Sequence, residues 1–284
     1  MNRTLRVEHG VNPHMKDSTH NKVVIITGAS SGIGAAVARR LARDGLCLTL
    51  AARRLDRLEQ VANEVKALGG EPIIVQTDVR NRSDIERMVE VTLNQWEHID
   101  VLFNNAGLSH DKLLIRIKPE KIRDEINVNL TAVIECAQVV LPVMLRQKSG
   151  HIINVASIAG LIALPGSTIY STTKFGIIGF SDSLRRELHG TRIHVSAFCP
   201  GFTPSEISPS LNAIETGQPG APRPFGLMPV TFVADQAARL INHPHLRLII
   251  PRSWTMLVFF ASLFPGFADL IIPIFLATEV KRKL

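Results

Sequence analysis

The sequence predicts an α/β protein: one parallel, doubly wound sheet with helices on both faces. Three observations carry that expectation. Short runs such as Val23–Thr27 and Val101–Asn104 are almost wholly apolar and rich in β-branched residues, as strands covered on both sides must be. Longer segments with helical periodicity separate them, so neighbouring strands must be joined by right-handed crossovers. A glycine-rich turn, Thr27-Gly28-Ala29-Ser30-Ser31-Gly32-Ile33-Gly34, lies directly between the first strand and the first helix.

The elements follow in order. Val23–Thr27 reads as a strand, Gly32–Asp44 as a helix closed by Gly45, and Leu46–Ala51 as a second strand. Leu55–Leu68 is helical up to Gly69-Gly70, Pro72–Gln76 is a third strand, and a helix capped by Ser83 spans Ser83–Glu97. Val101–Asn104 is the fourth strand, and a single long helix is expected over Pro119–Lys148. A strand at His151–Val155, a helix at Thr168–His189, a strand at Ile193–Phe198, a helix at Phe232–His243 and a strand at Arg247–Ile250 complete about seven strands. Residues 22–252 thus form the expected catalytic domain. Residues 1–21 are polar, lack the apolar stretch of a signal peptide and read as a disordered leader, within which Met15 offers an alternative start. Thr203–Pro229, rich in Pro, Gly and Ser, is too long for an ordinary connection and reads as a substrate-side lid or mobile insert.

The chain of 284 residues carries a net charge of +7, compatible with nucleic acid, a membrane surface or an anionic ligand. No Lys/Arg cluster interleaved with aromatics is present, which argues against nucleic acid. Cys47, Cys136 and Cys199 lack metal-ligand spacing and sit in apolar stretches, so no metal site is expected and each thiol reads as a small buried hydrophobe in a reducing, cytoplasmic compartment.

The glycine turn, spaced G-x-x-x-G-x-G, lets the backbone approach a pyrophosphate whose charge meets a helix N-terminus. Gly28, Ser30, Ser31, Gly32, Ile33 and Gly34 are the candidate contacts of a Rossmann-type dinucleotide site. The second strand ends in Ala51-Ala52-Arg53-Arg54, with no acid to hold a ribose 2′-hydroxyl. A guanidinium there binds a 2′-phosphate by charge-assisted hydrogen bonds, so the expected cofactor is NADP(H), with Arg53 as principal contact and Ser30 as helper. The competing reading is two solvated arginines opening a helix. Further on, Tyr170, the only tyrosine, precedes Lys174 by four residues on a helix, about 6 Å of rise along one face. A nearby ammonium is expected to lower the phenol's pKa, and Ser157, after the fifth strand, can donate a hydrogen bond to a substrate oxygen.

Taken together, Thr27-Gly28-x-x-x-Gly32-x-Gly34, Asn104-Asn105-Ala106-Gly107, Asn129, Ser157, the Tyr170/Lys174 pair and Pro200-Gly201 resemble the short-chain dehydrogenase/reductase family, over about Lys22 to Phe202. The resemblance implies that Asp78-Val79 lies by the adenine, that Asn105-Ala106-Gly107 lines the cleft, and that Pro200-Gly201 faces the nicotinamide. It also implies that Tyr170 is the acid/base, that Lys174 holds the nicotinamide ribose, and that Asn129 orders a water linking Lys174 to solvent. Ser205 stands where the family often has a threonine contacting the carboxamide. Hydride transfer to a carbonyl, or the reverse on a secondary alcohol, is the implied reaction. Homodimers or homotetramers paired through the helices of Asn129 and Tyr170 are the implied assembly. A non-catalytic NADP(H) sensor or membrane-associated scaffold is the alternative, but none of Ser157, Tyr170 and Lys174 is missing.

Between Trp254 and Ile272 the only ionisable side chain is Asp269, and Pro265-Gly266 interrupts the stretch. Two short apolar helices bent at Pro265 are expected in the tail, residues 253–284. They either lie in a membrane interface with Lys281-Arg282-Lys283 on anionic lipid, pack on the domain or a second subunit, or span a bilayer. Beside an insert containing Phe202, Phe225, Leu227 and Met228, interfacial contact favours a small, lipophilic substrate such as a keto-lipid or steroid.

Overall fold

A computed structural model describes residues 22–204, 206, 227–266 and 269. The leader, Ser205, Phe225 and the basic C-terminus lie outside the described residues, as does most of the expected lid. Seven parallel strands form one sheet in the order β3-β2-β1-β4-β5-β6-β7. They are β1 (Val23–Thr27), β2 (Cys47–Ala52), β3 (Glu71–Gln76), β4 (Val101–Asn104), β5 (Gly150–Val155), β6 (Ile193–Pro200) and β7 (Arg247–Ile250). β1, β2 and β4 are buried at every position, which accounts for their unbroken apolar runs. β3, at the sheet edge, tolerates Pro72 and exposes Glu71 and Gln76.

Helices α1 (Gly32–Ala42), α2 (Leu55–Ala67) and α7 (Val230–Asn242) cover one face and close a core around Val24, Ile26, Val37, Leu41, Leu50, Phe103 and Phe198. On the other face, α3 (Arg82–Trp96), α5 (Ala132–Gln147) and α6 (Thr168–Glu187) close a second core around Ile25, Met88, Leu102, Val140 and Ile152. Strand order runs outward from β1 in one direction and from β4 in the other. The carboxyl ends of β1 and β4 therefore diverge into a crevice, where ligands of such sheets bind.

Several details depart from the sequence expectations. Ser83 does not cap α3; the helix begins at Arg82 after Asn81, which places Ser83 inside the first turn. The Asp84 carboxylate reaches back instead and accepts from the Asp78 N–H at 2.9 Å. The long helix expected at Pro119–Lys148 is α4 (Pro119–Ile126), a π turn at Asn127–Thr131, and then α5. One extra residue in that turn rotates Asn129 into the fold, a use of π turns common at functional positions. Helix α7 starts at Val230, two residues before the expected Phe232. Cys47, Cys136 and Cys199 are free and buried as expected, and burial pushes their thiols up to about 11, 12 and 12.

In the tail, α8 (Trp254–Leu263) comes first and is followed, after a break at Phe264, by helical backbone at Pro265-Gly266. At ten residues α8 is too short to span a bilayer, which takes about 20. Val258 is buried against Ile158 and Ile162, with Ile249, Trp254, Leu257 and Ala261 packed around them. Phe202 meets Trp254 edge-on at 5.7 Å. The first turns of the tail therefore pack on the domain beside the turn after β5, while Met256, Phe259, Leu263 and Phe264 on the other side stay more than half exposed.

Candidate active site

Gly28 leaves β1 with φ +68°, a left-handed conformation that suits glycine, and a Cβ there would come within 2.9 Å of the Ala106 backbone. At Gly34 a Cβ would overlap the Gly28 carbonyl and lie 2.6 Å from Asn105 Nδ2. These contacts bring the turn after β1 against the turn after β4. Thr27 Oγ1 fixes the junction by accepting from the N–H groups of Asn105 and Ala106 at 3.0 and 3.1 Å, while Asn105 Nδ2 donates to the Thr27 carbonyl at 3.0 Å. The cleft above has an internal space of about 300 Å³. Gly28, Ser30, Ser31, Gly32 and Ile33 line it with Arg53, Asp78, Val79, Asn105, Ala106 and Gly107, every one expected from sequence. Gly34 lies beneath the turn as a packing residue.

At the end of β2 both arginines line the cleft, but they differ in what they touch. Arg54 Nη2 donates to Ser31 Oγ at 2.8 Å and Ser30 Oγ at 3.1 Å, whereas the Arg53 carbonyl accepts from Gln76 Nε2 at 3.0 Å. Glu206 completes this corner: its carboxylate pairs with Arg54 at 2.7 Å and Arg57 at 3.3 Å. The Arg54 guanidinium and the Ser31 hydroxyl hold the Glu206 carboxyl below the usual range. Sequence reasoning weighed both arginines and chose Arg53 as principal contact; it did not point to Arg57 or Glu206, because only the folded turn brings those side chains to the same corner. Across the cleft, the Asp78 carboxylate is bound by Arg80, which lowers its pKa.

Ser157, Tyr170 and Lys174 meet at the carboxyl end of β5. Ser157 lies in extended backbone after the strand, with Oγ accepting from the Ala159 N–H at 3.1 Å and hydrogen-bonded to the Tyr170 phenol. Lys174, 4% exposed, places Nζ 5.4 Å from the Tyr170 ring centre and donates to the Val155 carbonyl at 2.8 Å. Burial, with Asp111 and Glu125 adding negative charge, pushes the phenol up to about 12, against the opposing Ser157 hydrogen bond. This corrects the expectation that Lys174 lowers the phenol's pKa. Desolvation is the largest influence on the phenol and Lys174 is not among the groups that shift it, while burial brings Lys174 itself down to about 8. Asn129 is wholly buried, and its carboxamide is clamped by the Leu108 backbone, accepting from N–H and donating to C=O, each at 2.8 Å. At the end of β6, the Gly201 N–H donates to the Ile250 carbonyl at 2.8 Å, so Pro200-Gly201 closes the site from the β7 side.

Residues 22–216 match the short chain dehydrogenase family. A 3-oxoacyl-[acyl-carrier-protein] reductase of Synechocystis sp. is 41% identical over 193 residues, spanning 68% of this chain and 78% of its own. Among solved structures, a short chain dehydrogenase/reductase from Burkholderia phymatum in complex with NAD superposes with a TM-score of 0.78 at 27% identity, covering 87% of this chain and 95% of that one. The actinorhodin polyketide ketoreductase with NADPH gives 0.73 at 29% identity, covering 81% and 95%. Sheet order, glycine turn and the match over most of the length agree: the chain belongs to the short-chain dehydrogenase/reductase family of oxidoreductases.

Proposed function

We propose that this protein is an NADPH-dependent reductase of a carbonyl on a lipophilic substrate, with Tyr170 as the proton donor. The observation that carries it is the meeting of Ser157, Tyr170 and buried Lys174 at the end of the sheet that holds the cleft. The glycine cradle, which a Cβ at Gly28 or Gly34 would fill, fits a dinucleotide. Gly28, Ser31, Gly32 and Ile33 would hold the pyrophosphate, Asp78 and Val79 the adenine, and Asn105, Ala106, Gly107, Pro200, Gly201 and Lys174 the nicotinamide half, with Ser205 an added contact. Bound there, the nicotinamide supplies a hydride equivalent. Tyr170 gives its proton to the substrate oxygen, Ser157 orients that oxygen, and Lys174 stabilises the phenolate left behind. Asn129, clamped on the Leu108 backbone, keeps the helix of Lys174 in register with the β4 turn.

Preference for a 2′-phosphate draws support from the corner where Arg54, held by Ser30 and Ser31, and Arg57 already pair with a carboxylate, that of Glu206. Arg53 lines the same cleft. Oxidation of NADPH and NADH should be followed with long-chain 3-oxoacyl thioesters, keto-lipids, steroids and small ketones. We expect activity on long-chain ketones with NADPH favoured. Arg54→Ala should reduce NADPH kcat/KM by about 10–10²-fold and leave NADH nearly unchanged, since one charge-assisted hydrogen bond is worth about 1.5–3 kcal/mol. Equal use of the two cofactors by the wild type would overturn the preference.

A lipophilic substrate is supported by α8, which packs one side against the turn following Ser157 and leaves Met256, Phe259, Leu263 and Phe264 exposed. We assign that surface, with the basic end of the tail, to a membrane interface at the cytoplasmic face. The full chain should float with anionic liposomes, and deletion of 254–284 should abolish flotation and reduce activity on long-chain ketones more than on small ones. Recovery of the full chain in the soluble fraction would remove the membrane assignment. Ile134, Leu145 and Phe175, exposed on α5 and α6, support pairing of subunits through those helices.

A further inference from the structure

Glu206 is the first acid after β6, whose exit at Pro200-Gly201 closes the site from the β7 side. By Glu206 the chain has reached the opposite end of the cleft, beside the residues that follow β2. One carboxylate oxygen pairs there with Arg54 at 2.7 Å and the other with Arg57 at 3.3 Å, and the Ser31 hydroxyl adds a hydrogen bond. Arg54 divides its guanidinium between two tasks: Nη2 donates to Ser30 and Ser31, and Nη1 is taken up by Glu206. An anion of the chain itself thus stands at the corner to which a cofactor phosphate would come.

Glu206 also separates two spaces. On the inner side it lines the cleft with Ser30, Ser31, Arg53 and Arg54. On the outer side it borders a second space, about 340 Å³, with Arg39, Arg57, Gln60 and Pro204. Arg54 lines the inner space and Arg57 the outer one. A carboxylate swung outward therefore gives up Arg54 and Ser31 but keeps Arg57 within reach. Its side chain is half-exposed, so water can replace the contacts it loses.

We propose that Glu206 is a specificity-determining residue, an internal anion that the 2′-phosphate of NADPH must displace from Arg54 and Ser31. This rests on the NADPH reading above. Phosphate and carboxylate repel each other across a shared guanidinium, and the phosphate, with the larger charge, makes the stronger pair. NADPH binds with Glu206 swung outward and loses part of its affinity to that exchange. NADH brings only a hydroxyl to the corner, so Glu206 stays on Arg54 and no exchange is needed. The carboxylate narrows the preference that the arginines create.

Calorimetric titration of the full-length protein with NADPH, NADH, adenosine 2′,5′-bisphosphate and 5′-AMP tests this without turnover. Glu206→Gln and Glu206→Ala both remove the charge, at a half-exposed position where folding is not at stake, and thermal melts check that. Each should tighten NADPH and the bisphosphate by about three- to tenfold, the scale of one exposed ion pair and one hydrogen bond, and shift NADH and 5′-AMP by less than about twofold. In an Arg54→Ala background the gain should vanish, because the competition is for that guanidinium. NADPH binding unchanged or weakened in both variants would overturn the proposal. So would tightening in Glu206→Gln alone, which would mean that the new amide binds phosphate. Failure of the NADPH reading itself would look different: wild type would bind NADPH and NADH alike, and Arg54→Ala would alter neither.

Discussion

Tyr170→Phe should lower kcat by about 10²–10⁴-fold while leaving the fold and cofactor affinity close to wild type. The ring keeps its packing, and only the hydroxyl that Ser157 hydrogen-bonds is removed. With the phenol pushed up to about 12, Tyr170 is protonated throughout the neutral range, so the wild type has its donor proton in place for reduction. Oxidation needs the phenolate, and its rate should rise with pH as the small ionised fraction grows. Cofactor absorbance with the best ketone and the matching alcohol, measured from pH 6 to 10, tests both statements. Comparable rates in wild type and Tyr170→Phe would sink the assigned chemistry. The variant should also show no tyrosinate signal at any pH, since it has no tyrosine left.

Gly34→Ala should be nearly as damaging, for a steric reason. The added methyl would overlap the Gly28 carbonyl and stand 2.6 Å from Asn105 Nδ2, in a turn where neither backbone can retreat without separating β1 from β4. Overpacking of this kind costs about 1–3 kcal/mol. The displaced turn should also weaken NADPH binding by at least about tenfold, because the helix N-terminus no longer lines up with the pyrophosphate. Gly179→Ala is the matched control: its Cβ meets nothing within 4 Å, and in the interior of α6 alanine is the better helix former by up to about 1 kcal/mol. Thermal unfolding and fluorescence titration with NADPH should therefore separate the two substitutions, lowering both properties only in Gly34→Ala. Wild-type melting and binding in Gly34→Ala would show that the turn is not the cradle.

Much of this architecture was legible in the chain because its signals are local. The apolar runs of β1, β2 and β4 follow from burial on both faces, and the glycine turn from the backbone's need to come close to its neighbour. Ser157, Tyr170 and Lys174 stood out by type and spacing, and folding brings them to one end of β5. Less legible were the features that depend on exact rotation. A π turn leaves no compositional mark, so the segment around Asn129 read as one continuous helix. Arg53 and Arg54 are identical in chemistry, and only the exit angle of β2 turns the second towards Ser30 and Ser31.

The protonation of the site was the hardest to foresee. An ammonium four residues from a phenol suggests a lowered pKa, yet Lys174 is itself buried and brought down to about 8, and desolvation is the largest influence on the half-buried Tyr170. By itself the sequence determined the sheet and singled out the glycine turn and the candidate reacting groups, because periodicity, backbone freedom and side-chain chemistry are properties of short stretches. Only the tertiary structure decided which arginine meets the serines, how Asn129 is held, and how far burial shifts the phenol and the lysine. Those outcomes depend on distance and desolvation, which arise when segments far apart in the chain are packed together.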